Sequence, residues 1–176
     1  MNLYGYADGD PINNSDPFGL YVTFRTTGAA RTVGRLMGMS PTVRSAMQAL
    51  MFAPMSEVDL VFQPADNGVF SFMLSKCSDM GGCFSPTSAT NAMILYGPSS
   101  EQNVGMFAHE IGHAAGWFSK TTGGDPLCGN PDSGVDSGSA SISCIRRWED
   151  RVQSEMKAYE RRQERQAGEG TAKVPE

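Results

Sequence analysis

Apolar residues recur every three or four positions in three parts of the chain, which predicts three helices. The first follows Ser40, a favourable cap residue, and has Pro41 at its first position. A capping box formed by Ser99 and Gln102 precedes the second, and the third runs from about residue 141 to 166. The three apolar stripes are Val43, Ala46, Met47 and Leu50; Val104, Phe107, Ile111, Ala114 and Phe118; and Ile145, Trp148, Val152, Met156 and Tyr159.

Shorter apolar runs predict strands at residues 21–27, 58–64, 68–75 and 91–97. Glycine, serine and aspartate dominate residues 123–141, which predicts a loop. The resulting order is a helix, several strands, a helix, a loop and a last helix. This order predicts the α+β fold class.

The composition of the 176 residues indicates a globular chain with one domain and a tail. The hydrophobic fraction is 40%, but no run approaches the ~18 apolar residues of a membrane-spanning helix, so we expect no membrane insertion. No basic start followed by an apolar stretch is present, so we expect no signal peptide in the chain itself. A net charge of −5 without a basic face argues against nucleic acid as a partner.

The four cysteines form two pairs that are close in sequence. Cys77 and Cys83 bracket a short loop, and Cys128 and Cys144 bracket the Gly/Ser/Asp-rich loop. Neither pair has the CxxC spacing of a zinc site. Such loop-closing pairs favour disulfides, as in proteins that meet an oxidising compartment.

The two histidines of the chain lie four residues apart in the second predicted helix, in the sequence HEIGH. At 100° per residue, His109 and His113 lie about 40° apart, opposite the apolar stripe. Two imidazoles one turn apart can bind one zinc ion, and Glu110 is placed to activate a zinc-bound water for attack on a carbonyl. The alternative is a zinc-stabilised interaction module without catalysis. Three glycines flank this face and are expected to leave room for a metal and a substrate: Gly105, Gly112 and Gly116.

A catalytic zinc needs a third protein ligand, and no third histidine exists. Ser119 stands where the extended motif HExxHxxGxxH has its last ligand, so the ligand must be a carboxylate. Glu149 falls inside the apolar stripe of the last helix, where a carboxylate is costly unless it is paired or bound to a metal. It is the preferred candidate. The alternatives are Asp136, Asp150, Glu155 and the loop residues Asp125 and Asp132.

Residues 93–118, a strand followed by the HExxH helix, resemble the zincin metallopeptidases. The resemblance implies a zincin-like fold with a small mixed or antiparallel sheet, and a Glu149 ligand would match the thermolysin-like members. In that family a strand near the metal pairs with the extended substrate, and residues 92–96 are the candidate here. A tyrosine often stabilises the oxyanion in these enzymes, and Tyr96 and Tyr159 are the possible residues.

Residues 1–20 resemble the end of the core of RHS/YD-repeat proteins, which are shells that enclose variable C-terminal toxins. The signature DPxGL is present as Asp16-Pro17-Phe18-Gly19-Leu20. The resemblance implies autoproteolytic cleavage between Leu20 and Tyr21, with the toxin starting at Tyr21. The composition of residues 167–176 predicts a disordered tail, so we expect the toxin domain to span residues 21–166.

The RHS resemblance also implies partners and a place of action. These are the RHS shell before release, a cognate immunity protein, and secretion with delivery into the cytoplasm or periplasm of a target cell. With the HEIGH motif, it predicts a toxin that hydrolyses peptide bonds of a target-cell protein. The alternative substrate is the peptide of the cell wall in the periplasm. A deaminase toxin is disfavoured, because H-x-E with P-C-x-x-C is missing.

Overall fold

The computed structural model describes residues 22–54, 56–75, 81–129 and 139–171. Within these ranges the fold is mixed α+β, with a small four-stranded sheet and six α-helices, which confirms the predicted class. The elements in chain order are β1 (Val22–Phe24), α1 (Thr27–Met39), α2 (Pro41–Met51), β2 (Asp59–Pro64), α3 (Gly68–Leu74), β3 (Gly82–Pro86), β4 (Asn91–Tyr96), α4 (Val104–Trp117), α5 (Ser119–Thr122) and α6 (Ser139–Thr171), with single 3₁₀ turns at Pro98–Ser100 and Pro126–Gly129.

The sheet is mixed, with strand order β1-β2-β4-β3. Strands β1, β2 and β4 are parallel, because α1 and α2 carry the chain back between β1 and β2. Strand β3 is antiparallel to β4 and lies at the edge. Since β4 pairs with β2 on one side and β3 on the other, the prediction that residues 92–96 form a substrate-binding edge is wrong.

The core lies between one face of this sheet and the helices α1, α2 and α4. The inward side chains of the two central strands are fully buried because alternate residues of a strand point to the same face. Phe107 and Ile111 of the predicted α4 stripe are also fully buried against them. The strand residues are Leu60, Phe62, Ala92, Ile94 and Tyr96.

Helix α1 was not predicted from the sequence. Its buried side chains nevertheless follow helical spacing, at Ala29, Val33, Leu36 and Met37. Three glycines interrupt its pattern and lower its helix propensity, at positions 28, 34 and 38.

The strand predicted at residues 68–75 is wrong, because this segment forms the helix α3. Asn67 caps it, with its Oδ1 accepting a hydrogen bond from the Phe70 backbone N–H at 3.1 Å. The strand beside β4 is instead β3, which overlaps the predicted disulfide loop only at residues 82 and 83 and has no apolar pattern that predicts a strand. A short apolar run such as GVFSFML fits either structure, and the cap decides between them.

The predicted helix boundaries were less accurate than the helices themselves. Asn103 caps α4 by accepting a hydrogen bond from the Met106 N–H at 3.0 Å, and Ser99 lies in a 3₁₀ turn, so the predicted capping box is wrong. Helix α6 extends to Thr171, five residues beyond the predicted end and into the predicted tail. None of the helices in the described ranges combines the length and apolar character needed to cross a bilayer.

Candidate metal centre

Helix α4 carries His109, Glu110 and His113 and is enclosed by β3, α6 and the 3₁₀ turn at Pro126–Gly129. The two histidines are 7% and 1% exposed, and Glu110 is 3% exposed. The Nε2 atoms of the two imidazoles face each other at 3.1 Å. The predicted pair therefore converges on one point inside the protein.

The outer nitrogens of both imidazoles contact oxygen atoms from two other elements. His109 Nδ1 lies 2.9 Å from Glu149 Oε1 on α6. His113 Nδ1 lies 2.6 Å from the backbone oxygen of Cys128 in the 3₁₀ turn. A carbonyl oxygen and an ionised carboxylate can only accept, so each Nδ1–H donates. In the neutral imidazoles each Nε2 then carries a lone pair.

Two lone pairs that face each other at 3.1 Å repel unless a proton or a metal cation is shared between them. A zinc ion fits this need, because two nitrogens at ~2.0–2.1 Å from one tetrahedral zinc lie about 3.3–3.4 Å apart. A hydrogen bond from each outer nitrogen to an oxygen is also the usual support of metal-binding histidines. The residues present thus fit a divalent metal of the zinc type.

Glu110 follows His109 in sequence and lies close to the start of the edge strand. A Cβ atom on Gly82 of β3 would lie 3.0 Å from Glu110 Oε1 and 2.4 Å from the Met106 sulfur, so α4 packs tightly against this glycine. Two residues further along β3, the Phe84 ring lies nearly parallel to the His113 ring, with ring centroids 6.3 Å apart. The carboxylate and the histidines therefore share one wall formed by β3.

Two of the flanking glycines have a different role from the one predicted. A Cβ atom on Gly112 would lie 2.6 Å from the Trp148 ring, whose Nε1 donates to the Ala108 oxygen at 2.7 Å. A Cβ atom on Gly116 would lie 2.3 Å from the Gly129 nitrogen. These glycines make room for α6 and for the 3₁₀ turn, and so for the two oxygen acceptors.

Glu149 reaches the site, but on the outer nitrogen of His109. In this arrangement it supports a histidine and does not face the Nε2 pair. Asp150 is exposed on α6. Glu155 accepts hydrogen bonds from the Ser40 hydroxyl and from the backbone and hydroxyl of Thr42, so it caps α2 and is not a metal ligand. Asp136 lies outside the described residues and stays a prediction.

The two predicted tyrosines lie on different elements, β4 and α6. Tyr96 is buried in the core, where its ring packs edge-on against Phe107 and its hydroxyl bonds Thr26 at 2.9 Å. Burial raises the pKa of Tyr96, and the nearby Glu101 carboxylate raises it further, while the hydrogen bond to Thr26 opposes both effects. Tyr159 lies ten residues beyond Glu149 on α6, or about 15 Å along the helix. Tyr96 is thus part of the core packing, and the oxyanion role stays a prediction.

One predicted disulfide is confirmed. Cys128 and Cys144 are joined, with Cα atoms 5.2 Å apart, and both are buried. Cys83 is also disulfide-bonded, while Cys77 lies outside the described residues.

Among the described residues, one group of three metal-ligating side chains has its ligand atoms within 4.8 Å of one another, namely Asp125, Cys128 and Cys144. The disulfide removes its two thiolates, so it offers no metal site in this form.

The residues that complete the centre could be found from the sequence only in part. The position of Glu149 in the apolar stripe indicated that its carboxylate needs a partner. In the structure this partner is His109. The Cys128 carbonyl had no sequence signal, because a backbone oxygen carries none. The processing site at Leu20 and Tyr21 lies outside the described residues.

No known protein family, curated protein or solved structure matches this chain. The functional argument therefore depends on the geometry of the centre.

Proposed function

We propose that this chain is a zinc-dependent metallopeptidase that hydrolyses peptide bonds of a protein in a target cell. The observation that supports it is the pair of Nε2 atoms 3.1 Å apart, on rings whose outer nitrogens are both hydrogen-bonded to oxygen. His109 and His113 would hold the metal, and the third protein ligand stays a prediction, with Asp136 as the candidate outside the described residues. A zinc ion, when bound there, supplies a Lewis acid that polarises a carbonyl and lowers the pKa of water.

Glu110 is the proposed general base. It neighbours His109 in sequence, is 3% exposed, and packs against Gly82 of β3. A carboxylate oxygen there takes the proton of the attacking water and then gives it to the leaving amine. Exclusion of bulk solvent strengthens each of these electrostatic interactions.

The edge strand β3 is the proposed substrate-binding strand. It pairs with β4 on one side only and begins at Gly82, beside Glu110. An extended peptide added to this edge would form backbone hydrogen bonds with it and pass the carboxylate. The passage from β4 through a single turn into α4, on a small mixed sheet, supports a zincin-like fold.

The proposed biological setting is an RHS-type effector. It depends on the resemblance of residues 1–20, which lie outside the described ranges. In that setting the shell releases this domain, a cognate immunity protein protects the producer, and the toxin acts inside a target cell.

A second substrate, the peptide of the cell wall, is favoured by the disulfides. Cys128–Cys144 and the bond at Cys83 are stable in an oxidising periplasm and are reduced in most cytosols. Peptide cross-links of the wall are the peptidase substrates of that compartment.

Replacing Glu110 by glutamine tests the proposal. The whole chain is expressed in a susceptible bacterium, in the cytoplasm or exported to the periplasm, as wild type, Glu110→Gln and the exposed control Glu160→Gln. Zinc content is measured by mass spectrometry and folding by circular dichroism. We expect all three proteins to fold and bind zinc, and only Glu110→Gln to lose toxicity.

The compartment in which growth stops distinguishes the two substrates. Arrest only after export favours the cell wall, and release of wall peptides would identify the bond. Equal toxicity of Glu110→Gln and wild type would refute the peptidase and favour a zinc-stabilised interaction module.

A further inference from the structure

The disulfide Cys128–Cys144 joins the two elements that hold the outer nitrogens of the histidines. Cys128 itself provides the oxygen that accepts from His113, and Cys144 lies on α6 five residues before Glu149, which accepts from His109. We propose that this disulfide positions the metal centre, so that metal affinity depends on its oxidation state. This inference rests on the proposed zinc site.

The turn that carries the Cys128 oxygen packs closely against α4, but few polar contacts of the described residues attach it to α6. Its internal bonds run from the Cys128 N–H to the Asp125 oxygen and from the Leu127 N–H to Asp125 Oδ1, both at 3.0 Å. The ion pair between Asp125 and Arg147, at 3.3 Å, is exposed and therefore weak. Apart from the chain itself, the disulfide links this turn covalently to α6.

On the other side, the disulfide fixes the early part of α6 against the turn. Cys128, Cys144 and Ile145 form a small buried cluster separate from the main core. Trp148 then packs on Gly112 and donates to the Ala108 oxygen, and Glu149 follows it at His109. The two oxygen atoms that accept hydrogen bonds from the histidines, on Glu149 and Cys128, are therefore positioned by one cluster that contains the disulfide.

Reduction breaks the S–S bond with two electrons and two protons and leaves two thiols. A small thiol reductant of the glutathione type would supply them and be oxidised to its own disulfide. The turn could then move relative to α6, and a displacement of about 1 Å is enough to break the bond to His113. Loss of such outer partners typically lowers metal affinity about 10–100-fold. The centre would thus be complete in an oxidising compartment and weakened in a reducing one.

The test compares zinc affinity in three forms of the full chain. They are wild type, Cys128→Ala/Cys144→Ala, and the matched control Cys77→Ala/Cys83→Ala, which removes the other cysteine pair. Alanine leaves no thiol that could bind zinc by itself. Zinc affinity is measured by competition with a chromogenic chelator, the site by the visible spectrum of bound Co²⁺, and folding by circular dichroism.

We expect the Cys128→Ala/Cys144→Ala protein to be folded, to bind zinc about 10–100-fold more weakly, and to give an altered Co²⁺ spectrum. The control should match wild type. A folded double variant with wild-type affinity and spectrum would overturn the inference.

Wild type treated with a phosphine reductant is the second measurement, with the reduced fraction determined by alkylation. Weaker zinc binding by a reduced but folded protein supports the inference. Unfolding of both the reduced protein and the double variant would overturn it in favour of a fold-stabilising bond. Failure of oxidised wild type to bind zinc would refute the proposed function itself, which is a separate outcome.

Discussion

Replacing Gly116 by alanine should damage the metal centre without changing either histidine. Gly116 lies near the end of α4, against the 3₁₀ turn at Pro126–Gly129. A Cβ atom there would lie 2.3 Å from the Gly129 nitrogen and 2.6 Å from the Cys128 carbonyl carbon. Both are backbone atoms, so neither can rotate away and the turn itself must move.

The size of the effect follows from these distances. Ordinary contact begins at 3.4 Å, so the turn must retreat by about 1.1 Å from its 2.3 Å position. A movement of that size along the hydrogen bond would lengthen the distance between His113 Nδ1 and the Cys128 oxygen from 2.6 Å to about 3.7 Å. That distance is beyond hydrogen-bonding range. Overpacking costs about 1–3 kcal/mol, and the better helix propensity of alanine offsets about 0.5–1 kcal/mol.

We therefore expect Gly116→Ala to lower the free energy of unfolding by about 1–2 kcal/mol and the zinc affinity about 10–100-fold. Urea denaturation and chelator competition measure the two quantities. The matched control is Gly34→Ala in α1, where a Cβ atom would meet nothing within 4 Å. That variant should gain about 0.5–1 kcal/mol and keep its zinc affinity. A Gly116→Ala protein that behaves like Gly34→Ala would refute this account of the turn.

Three further substitutions test two carboxylates of α6, Glu149 and Glu155. Glu149→Gln keeps an oxygen acceptor for His109, so it should lose less zinc affinity than Glu149→Ala, for which we expect about a 10–100-fold loss in chelator competition. If Glu149 bound the metal directly, both variants would lose zinc alike. Burial alone would raise the pKa of Glu155, but hydrogen bonds from Ser40 and Thr42 lower it below its ordinary value. Its charge therefore stabilises the fold above the unfolded pKa of about 4.3, and this stability is lost as the pH falls through the lower folded pKa. Glu155→Gln should be about 1 kcal/mol less stable than wild type at pH 7, with the difference vanishing in acid; urea denaturation showing an equal difference at both pH values would contradict this.

The elements with a long apolar period were predictable because periodicity reports burial. Helix α2 with its Ser40 cap, strand β4 and the stripes of α4 and α6 all lie where the pattern indicated. Elements whose local signals conflict were not predictable. The run at Gly68–Leu74 has strand-like composition but a helix cap in Asn67, and the glycines of α1 hide its period.

The candidate site was predictable where side chains define it. The spacing of His109 and His113 fixes their convergence on any helix, and the stripe of α6 indicated Glu149. The Cys128 carbonyl and the close fit of Gly116 depend on how a loop packs on α4. Such backbone contacts arise from tertiary structure and leave no residue pattern to recognise.

The position of α6 at the end of the described chain has a consequence for biosynthesis. The ribosome makes the chain from its N-terminus, so both histidines are synthesised before Cys144 and Glu149. Until α6 has emerged and docked, His109 lacks its hydrogen-bond partner Glu149. A nascent or prematurely terminated chain that contains HEIGH but not α6 therefore has both histidines without the carboxylate that supports the first of them.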